Sequence, residues 1–386
     1  MLDTRSTQPT SNSRFATHEH SNRRVKILAF STDPDYDIRI RELLRELSPE
    51  FYKFERTRKW DTFRGIIQKI RRGQYDLVVM EGTGTAGGIA AIVGRILHGT
   101  KYIFSSGDAV APFLAAKWPA CRPIFNLYEK TLYRYSSGFI GWTPYLAGRA
   151  LTMGASRAMT AASWAPYASD PTRLSASRIK LRQKLGIPEN ALVFGIIGRL
   201  AWSERLNYCY GHELVQATLR TDSERICALI VGDGDGKPRL EAMAGKALNH
   251  TIFLPGRVPR DQVPDYLSAM DVGSLPQSVD GVGSFRYTTK ISEYFSVRLP
   301  FITNEIPAAY DLDYGGLWRL PGEAPWDARF IEALAHLMTS VTPGLIELKR
   351  NSIPAYVPEF DRELQVQRVT QFVNDIANTS HHHLEK

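Results

Sequence analysis

Residues 193–200 read VFGIIGRL, an apolar run rich in β-branched side chains that ends in glycine, arginine and leucine. Such a short run closed by a turn residue predicts a buried β-strand over 193–198, and apolar residues at helical spacing follow over 210–219. Strands that alternate with helices predict βαβ units, and therefore a parallel sheet with helices on both faces.

This alternation fills the chain in two successive series. The first series has predicted strands at 25–31, 76–81, 102–106 and 138–143, and predicted helices at 37–47, 60–72, 88–97 and 124–135. The second has strands at 193–198, 227–232, 251–254, 272–275 and 300–303, and helices at 210–219, 238–247, 262–270 and 290–295. We therefore predict an α/β fold with two Rossmann-like parallel-sheet domains.

The domain boundaries follow from the same patterns. A basic helix over 175–185, closed by Gly186 and followed by Pro188, separates the two series. We predict an N-terminal domain over 23–172, a linker with its first helix over 173–190, and a C-terminal domain over 191–355. Residues 356–378 are predicted as a helix that crosses back to the N-terminal domain. The ends are predicted as a disordered polar tail, 1–22, and a flexible tail, 379–386.

The two halves of the 386-residue chain carry opposite net charges. Residues 1–200 hold 30 basic and 16 acidic side chains, a net charge of +14, whereas residues 201–386 hold 18 and 24, a net charge of −6. An anionic ligand or surface is therefore expected to face the first half. We expect no nucleic-acid partner, because no recognised nucleic-acid motif accompanies the charge.

Cysteine usage and hydropathy indicate the cellular compartment. The three cysteines, Cys121, Cys209 and Cys227, include no close pair, which excludes a disulfide framework and a cysteine-based zinc site. The N-terminus lacks the apolar core of a signal peptide, and no run of about 18 charge-free apolar residues predicts a membrane span. We therefore expect a reduced, cytoplasmic protein.

Residues 53–72 combine many basic side chains with apolar residues on one predicted helical face. The apolar residues are Trp60, Phe63, Ile67 and Ile70. One interpretation is an interfacial helix that attaches the protein peripherally to the anionic inner face of a membrane. The other is a helix that faces the protein core and has a solvated basic rim.

The first candidate site directly follows the strand at 193–198. Ligands of open α/β sheets bind beyond the carboxyl ends of the strands. There the chain has Gly198 and Arg199, and six residues later Arg205. Two guanidinium groups at this spacing have the donors to hold a diphosphate bidentately. The alternative is a surface arginine that pairs with Glu204.

The second candidate site is a Gly/Ser loop at 280–284 that leads into a helix. Thr288 and Thr289 are typical N-cap residues, and Lys290 and Glu293 follow on the first turn. Amides at a helix start and the Lys290 ammonium favour an anion site. The alternative is a local ion pair between Lys290 and Glu293, worth about 0.3–0.5 kcal/mol. No pattern predicts a metal site.

Five sequence blocks in the second half carry a family resemblance. They are 182–188 (RQKLGIP), 194–200 (FGIIGRL), 229–234 (LIVGDG), 252–258 (IFLPGRV) and 289–294 (TKISEY). In this order and spacing they resemble the C-terminal domain of GT-B glycosyltransferases of family 4 (glycosyl transferases group 1). The first half is similar to the more variable N-terminal domain of these enzymes. The resemblance implies two domains that face each other across a cleft.

The resemblance also implies a donor site for a nucleotide-diphosphate sugar. Arg199 and Arg205 occupy positions where the family has an Arg and a Lys that hold the diphosphate, and Glu293 matches a glutamate that accepts from ribose hydroxyls. Arg257 and Val258 lie in a loop that commonly packs on the base. The full donor set on this basis is Gly198, Arg199, Arg205, Arg257, Val258, Thr289, Lys290 and Glu293.

The chain departs from the family pattern at three positions. Phe285 stands where a first glutamate contacts the sugar, and Arg298 stands where glycine usually follows the helix. After the strand at 102–106, the chain has Asp108 where a histidine is common. Asp108 is therefore our candidate for polarising the acceptor hydroxyl; a turn-forming aspartate is the alternative. Glu81 and the glycines at 82, 84, 87 and 88 either line the acceptor side or make a tight connection.

The resulting expectation is a hexosyl/glycosyltransferase that acts on a glycan or lipid-linked acceptor in cell-envelope polysaccharide synthesis. By resemblance it retains anomeric configuration, and it needs no metal or other cofactor. Its catalytic residues are then Asp108, Arg199, Arg205 and Lys290. Two alternatives remain: a sugar-nucleotide epimerase of the same fold, and a catalytically inactive GT-B-like binding protein, which Phe285 and the absent histidine favour.

Overall fold

The computed structural model describes residues 25–33, 37–167 and 170–379. The predicted tail at 1–22 and, apart from Thr379, the tail at 379–386 lie outside these residues. The described chain contains two six-stranded parallel sheets with helices packed on both faces. The predicted fold class, two Rossmann-like α/β domains, is therefore confirmed.

The first sheet has the strand order β2-β1-β3-β4-β5-β6. Its strands are β1 (Ile27–Ser31), β2 (Glu50–Phe51), β3 (Leu77–Glu81), β4 (Lys101–Ser106), β5 (Gly138–Gly141) and β6 (Ala158–Thr160). The helices of this part are α1 (Asp37–Leu43), α2 (Lys59–Gly73), α3 (Thr85–His98), α4 (Val110–Ala115), α5 (Arg122–Tyr135) and α6 (Pro144–Thr152).

Helix α7 (Pro171–Leu185) leads to the second sheet, which has the order β12-β11-β10-β7-β8-β9. Its strands are β7 (Leu192–Ile197), β8 (Ile226–Val231), β9 (Ile252–Gly256), β10 (Val272–Leu275), β11 (Phe301–Asn304) and β12 (Leu317–Leu320). The remaining helices are α8 (His212–Thr221), α9 (Lys237–Ala244), α10 (Val263–Ser268), α11 (Lys290–Ser296), α12 (Ala308–Asp311), α13 (Ala328–Ser340), α14 (Pro343–Ser352) and α15 (Arg362–Asn378).

Strand β1 shows why these runs form doubly covered strands. Its side chains alternate between two cores, as the two-residue period of a strand requires. Leu28 and Phe30 pack with Ile66 of α2, whereas Ile27 and Ala29 pack on the opposite face of the sheet. Because both faces are buried, the strand is apolar throughout its first four residues and does not alternate with polar residues.

The last helix, α15, packs on the first sheet although it follows the second domain in the chain. Val366, Val369 and Val373 are buried in the same core as Ile27 and Ala29. The Lys101 ammonium donates to the carbonyl oxygens of Ile376 and Ala377 at the end of this helix, both at 3.0 Å. The core of the first domain thus includes side chains from the final part of the described chain.

Helix α7 crosses a domain boundary that was predicted from the sequence. Helix α7 begins at Pro171, because the Asp170 carboxylate accepts a hydrogen bond from the Thr172 amide at 2.9 Å and caps the helix there. The predicted boundary at 172 therefore falls inside a helix. On helix α2, Ile70 is 4% exposed and Phe63 and Ile67 pack partly buried against the first-domain core, as the core-facing interpretation predicts, whereas Trp60 is 62% exposed. None of the helices in the described ranges is long and apolar enough to cross a membrane.

Candidate donor and acceptor site

The carboxyl ends of the two sheets face each other across a cleft. Asp108, which follows β4, accepts a hydrogen bond from the Arg286 guanidinium at 2.6 Å. The Tyr287 hydroxyl donates to the Ser163 carbonyl at 2.8 Å. Because residues 286 and 287 follow β10, these bonds join the loops at the carboxyl edge of one sheet to those of the other. This is where ligands of open α/β sheets bind.

A glycine turn after β8 fixes the loop that follows β7. The Leu200 amide donates to the Asp233 carbonyl at 3.0 Å, and the Leu200 carbonyl accepts from the Gly236 amide at 2.8 Å. Gly232 has φ +149°, and a methyl group there would lie 1.8 Å from the Gly198 carbonyl oxygen. Only glycine fits this close approach. The turn therefore supports the loop that carries Gly198 and Arg199.

Lys290 lies against that loop, at the start of α11. Its side chain is only 9% exposed, and its ammonium nitrogen lies 4.2 Å from the centre of the Tyr210 ring. A methyl group on Gly198 would come within 3.1 Å of the same nitrogen. No carboxylate in the described ranges lies within ion-pair distance of it. A buried cation costs free energy unless a negative charge joins it, so this arrangement favours an anionic ligand.

The arginines of the predicted donor set lie on loops at this edge and are exposed. Arg199 and Arg205 follow β7, and Arg257 follows β9. Within the part of the chain that the structure describes, neither Arg199 nor Arg205 makes a hydrogen bond or an ion pair. The alternative partner, Glu204, forms its ion pair with Arg239. That Arg199 and Arg205 contact a diphosphate stays a prediction.

Glu293 lies one turn further along α11 and is partly buried. Burial raises the pKa of its carboxyl group, and the positive charges of Lys290 and Arg260 act in the opposite direction. The local ion pair with Lys290 is not formed in the described structure. Thr289 is exposed and makes no side-chain cap, whereas the Thr288 hydroxyl accepts from the Lys290 amide at 3.3 Å.

The departures from the family pattern have structural explanations. Phe285 packs on the core of the first domain, where the Arg149 guanidinium lies 5.3 Å from its ring centre, so it joins the two domains. Arg298 adopts φ +49°, the left-handed conformation that favours glycine. Its guanidinium donates to the Ile353 and Asn351 carbonyls at 2.9 and 3.0 Å, which holds the residue there.

Glu81 does not line the acceptor side, because its side chain is fully buried. Its carboxylate accepts hydrogen bonds from Arg39 at 2.7 Å, Ser105 at 2.8 Å and the Trp142 indole at 3.0 Å. Sequence reasoning missed Arg39 and Trp142 in this network, and it missed Arg286 as the partner of Asp108. Asp108 itself is 6% exposed beside the cleft, and its catalytic role stays a prediction.

Sequence reasoning also missed a buried acid next to the loop that follows β7. Glu213 on α8 is fully buried, and it accepts hydrogen bonds from the Tyr208 and Ser274 hydroxyls, both at 2.9 Å. Ser274 also accepts, through its carbonyl oxygen, from the Tyr294 hydroxyl at 2.6 Å. Burial raises the pKa of the Glu213 carboxyl group to about 7.

This raised pKa predicts a pH dependence of stability. The folded protein holds a proton at Glu213 that the unfolded chain releases near its ordinary pKa of 4.5. The free energy of unfolding should therefore fall as the pH rises from about 4.5 to about 7. We expect Glu213→Gln to flatten this fall in urea unfolding series, and the exposed Glu224→Gln to leave it in place. An equally steep fall in Glu213→Gln would contradict the assignment.

The second domain is similar in sequence to known proteins. Residues 191–340 match the family glycosyl transferases group 1. A 2-deoxystreptamine glucosyltransferase of Streptomyces kanamyceticus is 29% identical over 124 residues, which are 31% of this chain and 31% of that protein. This match spans about a third of the length of that curated relative.

Solved structures share the fold over nearly the whole chain. HepE of Anabaena, crystallised with UDP and glucose, has a TM-score of 0.65 at 17% identity, over 91% of this chain and 100% of its own. Sucrose-phosphate synthase of Thermosynechococcus elongatus has a TM-score of 0.65 at 14% identity, over 92% of this chain and 100% of its own. These likenesses show the fold.

The fold is the one that GT-B glycosyltransferases of known structure share, and the family match falls on the second domain, where the sequence showed its resemblance. More narrowly, residues 191–340 form a glycosyl transferases group 1 domain. The assignment to family 4 stays a prediction.

Proposed function

We propose that this protein transfers a glycosyl group from a UDP-sugar to a hydroxyl group of a glycan or lipid-linked acceptor. The observation that carries the proposal is the buried Lys290 ammonium, which lies beside the Gly198 backbone without a carboxylate partner in the described chain. The choice of UDP is supported by HepE of Anabaena, whose structures contain UDP, glucose or UDP-glucose.

In the proposed reaction, the bond between the sugar and the diphosphate breaks, and negative charge grows on the departing UDP. Lys290, Arg199 and Arg205 would stabilise that charge where it develops, which is the most effective place to lower a barrier. These three cations would stabilise the departing UDP without a metal ion. We also propose, from the family resemblance, that the anomeric configuration is retained.

Asp108 is the proposed group on the acceptor side. Its Oδ1 accepts from the Arg286 guanidinium, so Arg286 would orient the carboxylate while the acceptor hydroxyl approaches it. An acceptor in the cell envelope is supported by a neighbour of the same fold, a lipopolysaccharide outer core galactosyltransferase, with a TM-score of 0.60. The epimerase alternative needs no acceptor, so a product assay with and without acceptor separates the two activities.

Donor binding and metal dependence test the proposal together. UDP-glucose at 100 times its dissociation constant should add about 2.7 kcal/mol to the free energy of unfolding, which a thermal shift assay detects. We expect the stabilisation and the turnover to be unchanged in EDTA. Stabilisation by GDP- or ADP-sugars but not by UDP-sugars would refute the choice of base. Loss of turnover in EDTA would refute the metal-free reaction.

A further inference from the structure

The loop that joins β2 to α2, residues 52–58, is placed at the cleft by the topology of the first sheet. Strand β2 pairs in parallel with β1, so its carboxyl end lies at the same edge as those of β1, β3 and β4. This is the edge whose loops contact the second domain through Asp108 and Ser163. The loop therefore lies beside the space between the domains.

The backbone of this loop is fixed, and its basic side chains are not used in packing. The Phe54 ring stacks on Phe30, with 6.1 Å between the ring centres. The Thr62 hydroxyl donates to the Glu55 carbonyl at 3.0 Å. The cationic side chains of the loop and of the first helical residue are all exposed; they are Lys53, Arg56, Arg58 and Lys59.

The balance of charge at the loop favours an anion. Against these cations stand Glu55 in the loop and two nearby aspartates: Arg56 pairs with Asp33 at 3.4 Å, and Arg58 pairs with Asp61 at 3.9 Å. Arg56 and Arg58 remain 60% and 70% exposed in these pairs, and Lys53 and Lys59 form no ion pair within the described residues. Trp60, also 62% exposed, stacks on Phe63 beside the same cations. The Arg64 guanidinium lies 5.0 Å from the centre of the Trp60 ring, and guanidinium groups can bind a phosphate bidentately.

The sheet geometry gives the distance between this loop and the proposed reaction centre. Asp108 follows β4, which is three strands from β2 in the order β2-β1-β3-β4. At about 4.8 Å per strand, the two loops are separated by about 14 Å. An anionic group held at the loop would therefore lie beyond the sugar ring that presents the reacting hydroxyl.

We propose that the acceptor is a glycan carrying a phosphate or diphosphate ester, and that Arg56 and Arg58 bind this ester at the edge of the cleft. The inference rests on the proposed glycosyl transfer and names the chemical class of its acceptor. The ester belongs either to a free glycan phosphate or to a lipid-linked glycan. The recognised chemistry is the same in both cases.

The test uses the full chain saturated with UDP, so that the donor site is filled. Maltose 1-phosphate and maltose are titrated by calorimetry as a pair that differs only in the phosphate. We expect tighter binding of maltose 1-phosphate, and we expect Arg56→Gln/Arg58→Gln to weaken it by about tenfold. The matched control, Arg71→Gln/Arg72→Gln, removes the same charge from the far end of α2 and should change it by less than about twofold.

A second arm distinguishes the source of the ester. Co-sedimentation with phosphatidylcholine vesicles, with and without phosphatidylglycerol, is compared for the same variants. If Arg56→Gln/Arg58→Gln specifically loses binding to the phosphatidylglycerol vesicles, the result supports a lipid-borne phosphate. If it loses only the binding of maltose 1-phosphate, the result supports a free glycan phosphate. The inference is overturned if both double variants lose binding equally. It is also overturned if neither calorimetry nor co-sedimentation shows any loss of binding. Failure of the wild-type protein to bind UDP would instead overturn the proposed function.

Discussion

Replacement of Lys290 by alanine is expected to lower kcat with a UDP-sugar donor by about 100- to 1,000-fold. The side chain is the buried cation closest to the Gly198 backbone, where the departing diphosphate is proposed to lie. Loss of one preorganised group that stabilises developing charge typically costs this much. Initial rates with UDP-glucose and the best acceptor measure the effect.

The matched control is Lys246→Ala, which removes an exposed lysine from the same domain and should leave the rate unchanged. Stability separates a catalytic effect from a folding effect. Because Lys290 has no carboxylate partner in the described chain, its removal should not lower the melting temperature. A variant with normal kcat and only a raised KM would show that Lys290 binds the donor equally in the ground state and the transition state.

Replacement of Glu81 by alanine is expected to destabilise the protein by about 3–5 kcal/mol. Arg39 is 5% exposed and would keep its charge after losing the carboxylate that lies 2.7 Å away. Breaking a buried ion pair on one side leaves an uncompensated charge, which is the costly case. Denaturant unfolding followed by tryptophan fluorescence measures the change, since Trp142 belongs to the same network.

The double variant Arg39→Met/Glu81→Met tests the reason for this loss. It removes both charges and fills the volume with apolar atoms, so it should be more stable than Glu81→Ala alone. If the double variant is less stable than the single one, the loss comes from packing and not from the unpaired guanidinium.

The sequence predicted the strands best where a continuous run of apolar residues marks the strand. Long apolar strands such as β1, β7 and β8 appear as continuous runs, because both faces of a parallel sheet are buried. Strands β2 and β6 were missed because they have only two and three residues, and β12 was missed because Arg319 interrupts its apolar residues. The loop after β7 was found for the same reason, because its glycine and arginine follow directly on a recognisable strand.

Contacts between distant parts of the chain could not be predicted in this way. Arg286 and Asp108 are 178 positions apart, and Arg39 and Glu81 are 42 apart. No spacing rule connects such residues; only the packing of one element against another brings them together. The sequence therefore indicated the loop after β7 more fully than the contacts that Asp108 and Glu81 make.

The position of α15 has a consequence for how the protein is made. Its side chains complete the core around Ile27 and Ala29, yet the ribosome synthesises it after the entire second sheet. The first domain therefore keeps an open apolar face until α15 has been synthesised, which happens only after all the strands of the second sheet. For this chain, the usual N-to-C order of domain maturation is reversed at its final step.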